Sequence, residues 1–402
     1  MAQHDYTISD ASGLAVLADL NNALAAIATG NSGNAAPSVT YPYLEWNDTL
    51  NGLRKMRDGA NTAWITIGAL GTANLGYAAL AGATFTGPVV VPSLNGGPLA
   101  GFRNWCINGN FDIWQNGTTF TGNEYGADQW YHGRVGTTHL VTQQAFAVGQ
   151  TAVPGEPKYF CRTVVNSVGG TSNYSALQHR IEDVRTLAGQ QVTLRFWAKA
   201  DATKSITIEC VQEFGTGGSP SAAVTGIGVT KALIGTNWQS VAVTVTLPSI
   251  NGKTIGTNNN DHLAVSIWFD AGSAYNSRTS TLGQQSGTFD ISQVQIEPGP
   301  VATPFEQRHI GVELALCQRY YWTRDTVRFN AYSLAGNGFQ QHIGFPVAMR
   351  AAPNILFTNS SYINANSVTA EAVTRYGFNY GAITVTTGAA QVFSMISASA
   401  RL

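Results

Sequence analysis

The strongest constraint on the fold is a series of short segments between residues 101 and 308 in which apolar and polar side chains alternate. A period of two places alternate side chains on opposite faces of a β-strand, so that one face can be buried. Turns rich in Gly, Asn, Ser and Pro separate the segments, and no long helical pattern interrupts them. The segments span residues 139–144, 159–165, 174–181, 192–200, 205–213, 239–246, 263–269 and 289–296. About eight to ten strands over this length predict a two-sheet jelly-roll sandwich.

A helix is predicted near the N-terminus, over residues 9–28. Its apolar residues recur at spacings of three and four and are Leu17, Leu20, Leu24 and Ile27. This narrow seam is typical of a helix that packs against copies of itself, so it predicts an oligomerisation element. The alternative is a helix that packs on some other surface. Ser9 or Asp10 is the expected N-cap, and Gly30 is the expected end of the helix.

Residues 41–68 predict a small three-stranded meander in which Trp46 and Trp64 are the aromatic anchors. A meander of this size is unstable alone, so we expect it to need a neighbouring subunit or a host structure to bury its rings. Residues 68–98 are rich in Ala, Gly and Leu and almost uncharged. They predict either a thin shaft in which three chains wind closely or an extended linker.

The last ninety or so residues predict a small β-rich domain preceded by a helix over 311–322. The apolar side of that helix contains Leu314, Cys317, Tyr320 and Tyr321. Strand-like segments follow at 339–345, 354–358, 378–386 and 392–396. The sequence therefore predicts a mainly β protein with a short N-terminal helix and stalk, in four parts: 1–38, 39–100, 101–308 and 309–402.

Composition narrows the function classes. Charged residues make up 11% of the 402 residues, and the net charge is −1. Without a Lys/Arg cluster, nucleic acid is not an expected partner, because phosphate neutralisation needs a basic patch. No apolar run approaches the ~20 residues of a spanning helix, and the N-terminus lacks the regions of a signal peptide. We therefore expect no membrane insertion and synthesis in a cytoplasm.

Metal, cofactor and catalytic motifs are not found in the sequence. Cys106, Cys161, Cys210 and Cys317 are scattered singly, which predicts buried free thiols and neither a metal cage nor a redox pair. The Gly-rich run at 215–218 lacks a following Lys and helix, so it is interpreted as a surface loop. Glu124 and Asp128 are close in sequence, as the acid/base pair of a glycosidase could be. Two acids in a Gly-rich loop are common in other proteins, so we expect no enzyme and no cofactor.

The sandwich strands offer a constellation for ligand binding. Alternation predicts that Arg195 and Trp197 point outward from one strand, Glu209 from a second and Trp268 from a third. If these strands share a sheet, the four side chains lie on one face. Aromatic rings with flanking charged groups hold sugars, because the ring covers a C–H face while the polar groups bond hydroxyls. The alternative, favoured from the sequence, is that this face packs against the stalk, a subunit or long loops.

Paired motifs lie at the two ends of the sandwich: residues 108–118 (Asn-Gly-Asn-Phe-Asp-Ile-Trp-Gln-Asn-Gly-Thr) with 127–130, and 290–299 with 302–308. They resemble the first and last strands of the carbohydrate-binding-module-like jelly rolls found in tail fibres of tailed bacteriophages. Residues 313–321 are similar to the helix that follows, and 41–68 and 85–88 resemble the fibre stalk. Such domains often hold a structural calcium, for which Asp112 matches one position. The acidic pair on the last strand is missing around 292–293, which argues against a calcium site here.

The resemblance implies a homotrimeric virion appendage of tail-fibre type. Its N-terminal part would attach to the phage tail or to other virion proteins. Its outer domains would contact the host surface, polysaccharide or lipopolysaccharide, with many weak contacts adding to avidity. Two alternatives remain: a purely structural virion component, such as a head fibre, and a polysaccharide-degrading tailspike.

Overall fold

The computed structural model of the protein describes residues 3–71 and 101–402. The chain divides into two compact units, Met1–Val89 and Val90–Leu402. Residues 72–98 of the expected shaft, including the fibre-like segment at 85–88, lie outside the described residues. The four-part domain division stays a prediction.

In the first unit, helix α1 (Gly13–Ala28) starts later than expected. The predicted N-cap at Ser9 or Asp10 is wrong, because Ser12 precedes the first helical residue. The Ser9 N–H instead donates to Asp19 at 3.3 Å, which keeps this segment outside the helix. Gly30 follows the helix with φ +58°, a left-handed conformation that ends it as predicted.

The apolar seam of α1 points away from the rest of the described unit. Ala23 and Ala26 are buried, at 7% and 0% exposure. The exposed fractions of the seam residues are 53% for Leu17, 45% for Leu20, 54% for Leu24 and 63% for Ile27. A row of exposed aliphatic side chains on one helix face is therefore available to a further surface.

The predicted three-stranded meander is confirmed as an antiparallel sheet in the order β1-β2-β3. Its strands are β1 (Glu45–Asp48), β2 (Leu53–Arg57) and β3 (Trp64–Ala69). The rings of Trp46 and Trp64 meet edge to face at 5.3 Å, and the Lys55 ammonium lies 4.7 Å from the Trp46 ring. Trp46 is buried within its own chain, and its indole N–H donates to Gly33 O at 3.2 Å. The expectation that a neighbouring subunit or a host structure is needed to bury this ring is therefore wrong.

The sandwich occupies the first part of the second unit, and its strands pair antiparallel throughout. One six-stranded sheet, sheet I, has the order β13-β10-β15-β8-β7-β4, and the other, sheet II, has the order β12-β11-β14-β9-β6-β5. The strands are β4 (Thr119–Phe120), β5 (Glu124–Tyr125), β6 (Trp130–Val135), β7 (Thr138–Ala145), β8 (Tyr159–Asn166), β9 (Tyr174–Glu182), β10 (Gln191–Ala200), β11 (Lys204–Glu213), β12 (Val224–Ile234), β13 (Gln239–Thr246), β14 (His262–Ala271) and β15 (Gly287–Pro298). A 3-10 turn (Ser273–Tyr275) and the short helix α2 (Asn276–Thr279) follow β14.

The core lies between the two sheets, as the alternation predicts. Leu194 and Phe196 enter it from sheet I, and Ile206, Ile208 and Phe269 enter it from sheet II. Every predicted segment of the sandwich overlaps a strand of the structure. Burial of such side chains contributes about 1.5–3 kcal/mol each, which makes this core the main source of stability for the domain.

Residues 108–118 were expected to form the first strand, and this prediction is wrong. Together with residues 104–107 they form an irregular loop beside the last strand, β15: Trp105 N donates to Ile296 O at 2.9 Å, and Val294 N donates to Gly109 O at 2.8 Å. Asn108 has φ +55° and accepts a turn hydrogen bond, a conformation that interrupts a strand. Trp130, which follows this loop, is fully buried in the core.

The C-terminal part contains α3 (Ile310–Gln318) and two three-stranded sheets, β16-β21-β18 and β17-β20-β19. Their strands are β16 (Tyr321–Ser333), β17 (Gly338–Gly344), β18 (Asn354–Ile363), β19 (Thr369–Glu371), β20 (Gly377–Ile383) and β21 (Gly388–Ser399). Phe378, Tyr380 and Val392 are buried between them. The helix is shorter than predicted, because Tyr321 already pairs with Ser399 at the start of β16.

The C-terminal part packs on the sandwich through polar contacts that are partly or fully buried. Arg319 forms a bidentate ion pair with Glu182, with N–O distances of 2.8 and 2.9 Å. The Arg401 guanidinium lies 3.8 Å from the centre of the Tyr321 ring and 3.9 Å from the Asp128 carboxylate.

All four cysteines lie in the described residues and are buried free thiols, as predicted. In residues 3–71 and 101–402, no helix is long and apolar enough to cross a membrane.

Candidate functional site: a tyrosine-lined cleft on sheet II

The four predicted ligand-binding residues do not share a face. Arg195 and Trp197 lie on β10 of sheet I, whereas Glu209 on β11 and Trp268 on β14 belong to sheet II. The condition on which the single-face hypothesis depended is therefore not met. The reason is the topology: β10 pairs with β13 and β15, and β11 pairs with β12 and β14, so the core separates the two pairs.

Glu209 is a structural group of sheet II. It is fully buried, and its carboxylate accepts hydrogen bonds from the Trp268 indole at 3.0 Å and from Gly226 N at 2.7 Å. Arg278 of α2 forms a bidentate ion pair with the same Glu209 carboxylate, with N–O distances of 2.8 and 2.9 Å. With these donors the carboxylate holds β12 and α2 on the sheet, and it has no access to a ligand.

A cleft of about 420 Å³ lies beside this cluster on the outer face of sheet II. A row of outward residues crosses four strands in register: Glu209, Ser266, Gln178 and Tyr131. The next row contains Ala176 and Gly133, whose small size leaves the floor of the cleft hollow. A Cβ at Gly133 would lie 3.3 Å from the Tyr131 ring, so a larger residue there would crowd the hollow.

Aromatic rings line one wall of the cleft. Trp268, Tyr174 and Tyr275 form a triangle in which each pair of ring centres is 5.2 to 5.3 Å apart. Trp268 is only 4% exposed, because the two tyrosines and Arg278 cover it. The half-buried Tyr174 and Tyr275, and Tyr131 on the opposite side, therefore present the accessible aromatic surface. We name this site the tyrosine cleft.

Polar side chains complete the tyrosine cleft. Arg180 lies 4.4 Å over the Tyr131 ring and donates to Gln178 at 2.8 Å, and Gln178 donates to Ser266 at 3.1 Å. Arg180 and the Tyr125 hydroxyl also donate to the main-chain oxygen of Leu402. The guanidinium is thus held from two sides, by the sheet and by the C-terminal domain.

Glu213 is the carboxylate of the cleft that has room for a ligand. It is half-buried and makes no hydrogen bond or ion pair within the described part of the chain. Burial raises its pKa above the ordinary value of 4.5, and the nearby Arg278 and Arg180 partly oppose that shift. Burial also lowers the pKa of the neighbouring His262 to about 4. The carboxylate oxygens of Glu213 can therefore accept hydrogen bonds from a ligand.

Glu124 and Asp128 are not arranged as a pair of accessible acids. Asp128 is fully buried, accepts from Gln115 N at 3.1 Å, and has its pKa raised to about 6 by burial. Glu124 is half-buried on β5 and accepts from Gly122 N at 3.0 Å. Both contacts are local and structural.

Asp112 is the position that resembles a calcium ligand. Its Oδ1 and the Oδ1 of Asn110 are buried and lack hydrogen-bond partners. Among residues 3–71 and 101–402, no group of three or more His, Cys, Asp or Glu side chains comes together as a metal site. Two orphaned oxygens are far fewer than the six to eight that Ca²⁺ takes, so these residues do not by themselves fit that ion.

Sequence reasoning missed the main residues of the cleft, namely Tyr131, Tyr174, Gln178, Arg180, Glu213, Tyr275 and Arg278. The alternation of side chains along a predicted strand could have identified three of these residues. Residues 174–181 were predicted as a strand, and alternation places Tyr174, Gln178 and Arg180 on the same outward side. Tyr275 and Arg278 lie on the connection after β14, where no periodicity exists to place them.

Comparisons with known proteins give distant similarities only. No family model matches the chain, and no curated protein matches it. The enzymatically active domain of tailspike protein 4 from bacteriophage CBA120 aligns with a TM-score of 0.30 and 13% identity, over 50% of this chain and 22% of that one. A putative sugar-binding protein from Bacteroides thetaiotaomicron aligns with a TM-score of 0.29 and 13% identity, over 49% of this chain and 100% of that one. A family 11 carbohydrate-binding module from Clostridium thermocellum aligns with a TM-score of 0.27 and 10% identity, over 46% of this chain and 98% of that one. The chain thus spans less than a quarter of the tailspike domain, and TM-scores this low carry no argument about its ligand.

Proposed function

We propose that the protein is a glycan-binding component of a bacteriophage virion appendage of tail-fibre type, and that the tyrosine cleft is its glycan site. One observation carries the glycan assignment. Accessible tyrosine rings lie in one open cleft with polar side chains that have unused hydrogen-bond donors or acceptors. Its volume of about 420 Å³ is within the roughly 300–1,000 Å³ range of ligand pockets.

The chemistry of a sugar matches this surface. A pyranose ring has an apolar C–H face, which can lie on Tyr174 or Tyr275, and equatorial hydroxyls that project from its edge. Gln178 and Arg180 supply donors at that edge, and Glu213 supplies an acceptor. Because Arg180 and Gln178 are already bonded to each other, they lose little freedom when a ligand binds.

The virion assignment is supported by the resemblance of residues 108–118 and 290–308 to tail-fibre jelly rolls. The exposed seam of α1 supports a homotrimer. In this proposal the N-terminal part attaches to the tail or other virion proteins, and the sandwich contacts host polysaccharide or lipopolysaccharide without cleaving it. Three copies per appendage multiply a weak single-site affinity.

Glycan arrays and binding to host cells test the glycan site. We expect Tyr174→Ala and Gln178→Ala to reduce binding about tenfold, since each removes one ring or hydrogen-bond contact. Tyr332→Ala is the matched control, because Tyr332 is 79% exposed on the C-terminal domain. Equal binding by all three variants and the unmodified protein would overturn the tyrosine cleft. Release of reducing ends from host polysaccharide would overturn the non-enzymatic part of the proposal.

A further inference from the structure

A second cleft, of about 390 Å³, lies on the outer face of sheet I. Its floor is formed by Arg195 and Trp197 on β10 and by Gln293 and Gln295 on β15. The 303–307 segment forms one wall, with Phe305 and Gln307, and the 154–155 turn forms another. We name it the arginine cleft. Because it opens from the opposite sheet, it is separated from the tyrosine cleft by the core.

A β-bulge shapes the floor of the arginine cleft. Arg195 is opposite Gln295 and Trp197 is opposite Ser292, so β15 has one extra residue between these pairs. Gln293 takes φ +50° in this bulge, and its side chain donates to Pro154 O at 2.6 Å. The bulge therefore joins the floor of the cleft to its wall. This is typical of β-bulges, which bend a strand and re-aim its side chains.

The charge of the arginine cleft differs from that of the tyrosine cleft. Arg195 donates to Ser240 Oγ at 3.0 Å and to Thr303 O at 3.2 Å, both neutral acceptors. None of the described residues that line the cleft is acidic. The nearby Glu297 is occupied, since it accepts from Thr303 Oγ1 at 2.6 Å and lies 3.2 Å from Arg103. The guanidinium is thus a positive charge without a carboxylate partner in the described structure.

An aromatic ring lies next to that charge. Trp197 is two residues from Arg195 on the same strand, is half-buried, and its indole N–H has no hydrogen-bond partner among the described residues. One ring face beside one unpaired guanidinium is suited to a ligand that has an apolar face and an anionic group a few ångströms away. A uronic acid residue of a polysaccharide has both features.

We propose that the arginine cleft is a second saccharide site, selective for sugars that carry a carboxylate. The sugar ring lies on Trp197, its carboxylate accepts from Arg195, and Gln307 contacts a hydroxyl at the rim. This goes beyond the proposed function, because it gives the sandwich two sites on opposite faces with different charge selectivity. The tyrosine cleft contains a carboxylate, Glu213, besides Arg180 and Arg278, so it has no comparable preference for an anion.

Isothermal titration calorimetry and saturation-transfer NMR on the full chain test this site with trigalacturonic acid, neutral galactotriose of the same linkage, and acetate. We expect trigalacturonic acid to bind more tightly than galactotriose, and acetate, which lacks the ring, not to compete. Arg195→Met and Trp197→Ala should each weaken trigalacturonic acid binding about tenfold or more. The effect of Arg195→Met should be absent with galactotriose.

Two further variants separate a site defect from a folding defect. Gln307→Glu changes an exposed rim residue, so it should leave the fold intact while the added carboxylate weakens binding of the acidic sugar alone. Tyr174→Ala, in the tyrosine cleft, should leave trigalacturonic acid binding unchanged even where it weakens binding of other glycans. Equal affinity for the acidic and neutral sugars, competition by acetate, or unchanged binding in Arg195→Met and Gln307→Glu would overturn the arginine cleft and leave the tyrosine cleft unaffected.

Discussion

The indole N–H of Trp268 donates to the Glu209 carboxylate at 3.0 Å, and both side chains are buried under α2. The ligand hypothesis placed both residues toward a ligand on the sheet surface, whereas the favoured alternative packed that face against the stalk, a subunit or long loops. The bond instead makes them one structural cluster, with Arg278 as the cation, that supports the aromatic wall of the tyrosine cleft from below.

We therefore expect Glu209→Gln to destabilise the sandwich by about 3 kcal/mol, because removal of one member of a buried ion pair leaves the other uncompensated. The value is at the lower end of the usual range, since the Arg278 side chain is 29% exposed. Chemical denaturation monitored by tryptophan fluorescence measures the change. Glu371→Gln, at an exposed position of the C-terminal domain, is the matched control. An equal stability of the two variants would contradict this role for Glu209.

The cleft carboxylate predicts a pH dependence of glycan binding. Burial raises the pKa of Glu213 above 4.5, so the group takes up a proton at a higher pH than an exposed glutamate does. If the ionised form accepts hydrogen bonds from sugar hydroxyls, affinity should be full at neutral pH and fall as pH decreases toward that raised pKa. Affinity measured between pH 7 and pH 4 checks this, with Glu213→Gln as the comparison. A variant with the same pH profile as the unmodified protein would assign the dependence to another group.

Buried histidines predict a loss of stability in acid. Burial lowers the pKa of both His132 and His179 to about 3, against an ordinary value of 6.5. The unfolded chain therefore binds more protons between pH 6.5 and pH 3, and the unfolding free energy must fall as pH decreases through that window. Asp128, whose pKa burial raises to about 6, has the opposite sign, because the folded state holds its proton at a pH where the unfolded carboxyl has lost it.

Because burial also lowers the pKa of His262 to about 4, on the same side as His132 and His179, we expect the histidines to outweigh Asp128 and the unfolding free energy to fall by several kcal/mol from pH 7 to pH 4. Urea denaturation at a series of pH values measures the slope. His132→Gln should flatten it, whereas His342→Gln, at an exposed position, should not. A slope that is unchanged in His132→Gln would remove this histidine as a cause.

The exposed seam of α1 predicts the assembly state. In the proposed trimer, Leu20 and Leu24 face the other copies of the helix, so Leu20→Glu with Leu24→Glu should place like charges at the interface and dissociate the assembly. Sedimentation velocity should then show a trimer for the unmodified protein and a monomer for the double variant. Ala18→Glu adds a charge on another exposed side of the same helix and should leave the trimer intact. A monomeric unmodified protein would refute the seam as an oligomerisation element.

Local pattern predicted most of the sandwich strands correctly and failed at identifiable places. β12 was missed because Gly226 and Gly228, both at positive φ, interrupt its alternation. β16 was missed because the apolar residues at its start also continue the helical spacing of α3, and only pairing with β21 shows that the chain is extended there. Residues 108–118 were taken for the first strand from their apolar run and their resemblance to tail-fibre jelly rolls, whereas Phe111 and Ile113 are buried in an irregular loop that contacts β15.

The sequence by itself determined which side chains of each strand face outward, because the pleat alternates with a period of two whatever the partners of the strand are. Arg195, Trp197 and Glu209 all point away from the core, as the pattern requires. Only the tertiary structure decided which strands are neighbours. Pairs such as β10 with β15 and β9 with β14 join segments far apart in the chain, and the local pattern of apolar residues carries no information about such pairing. That choice placed Trp197 and Trp268 on opposite faces, and it brought Tyr131, Tyr174 and Tyr275 together in one cleft.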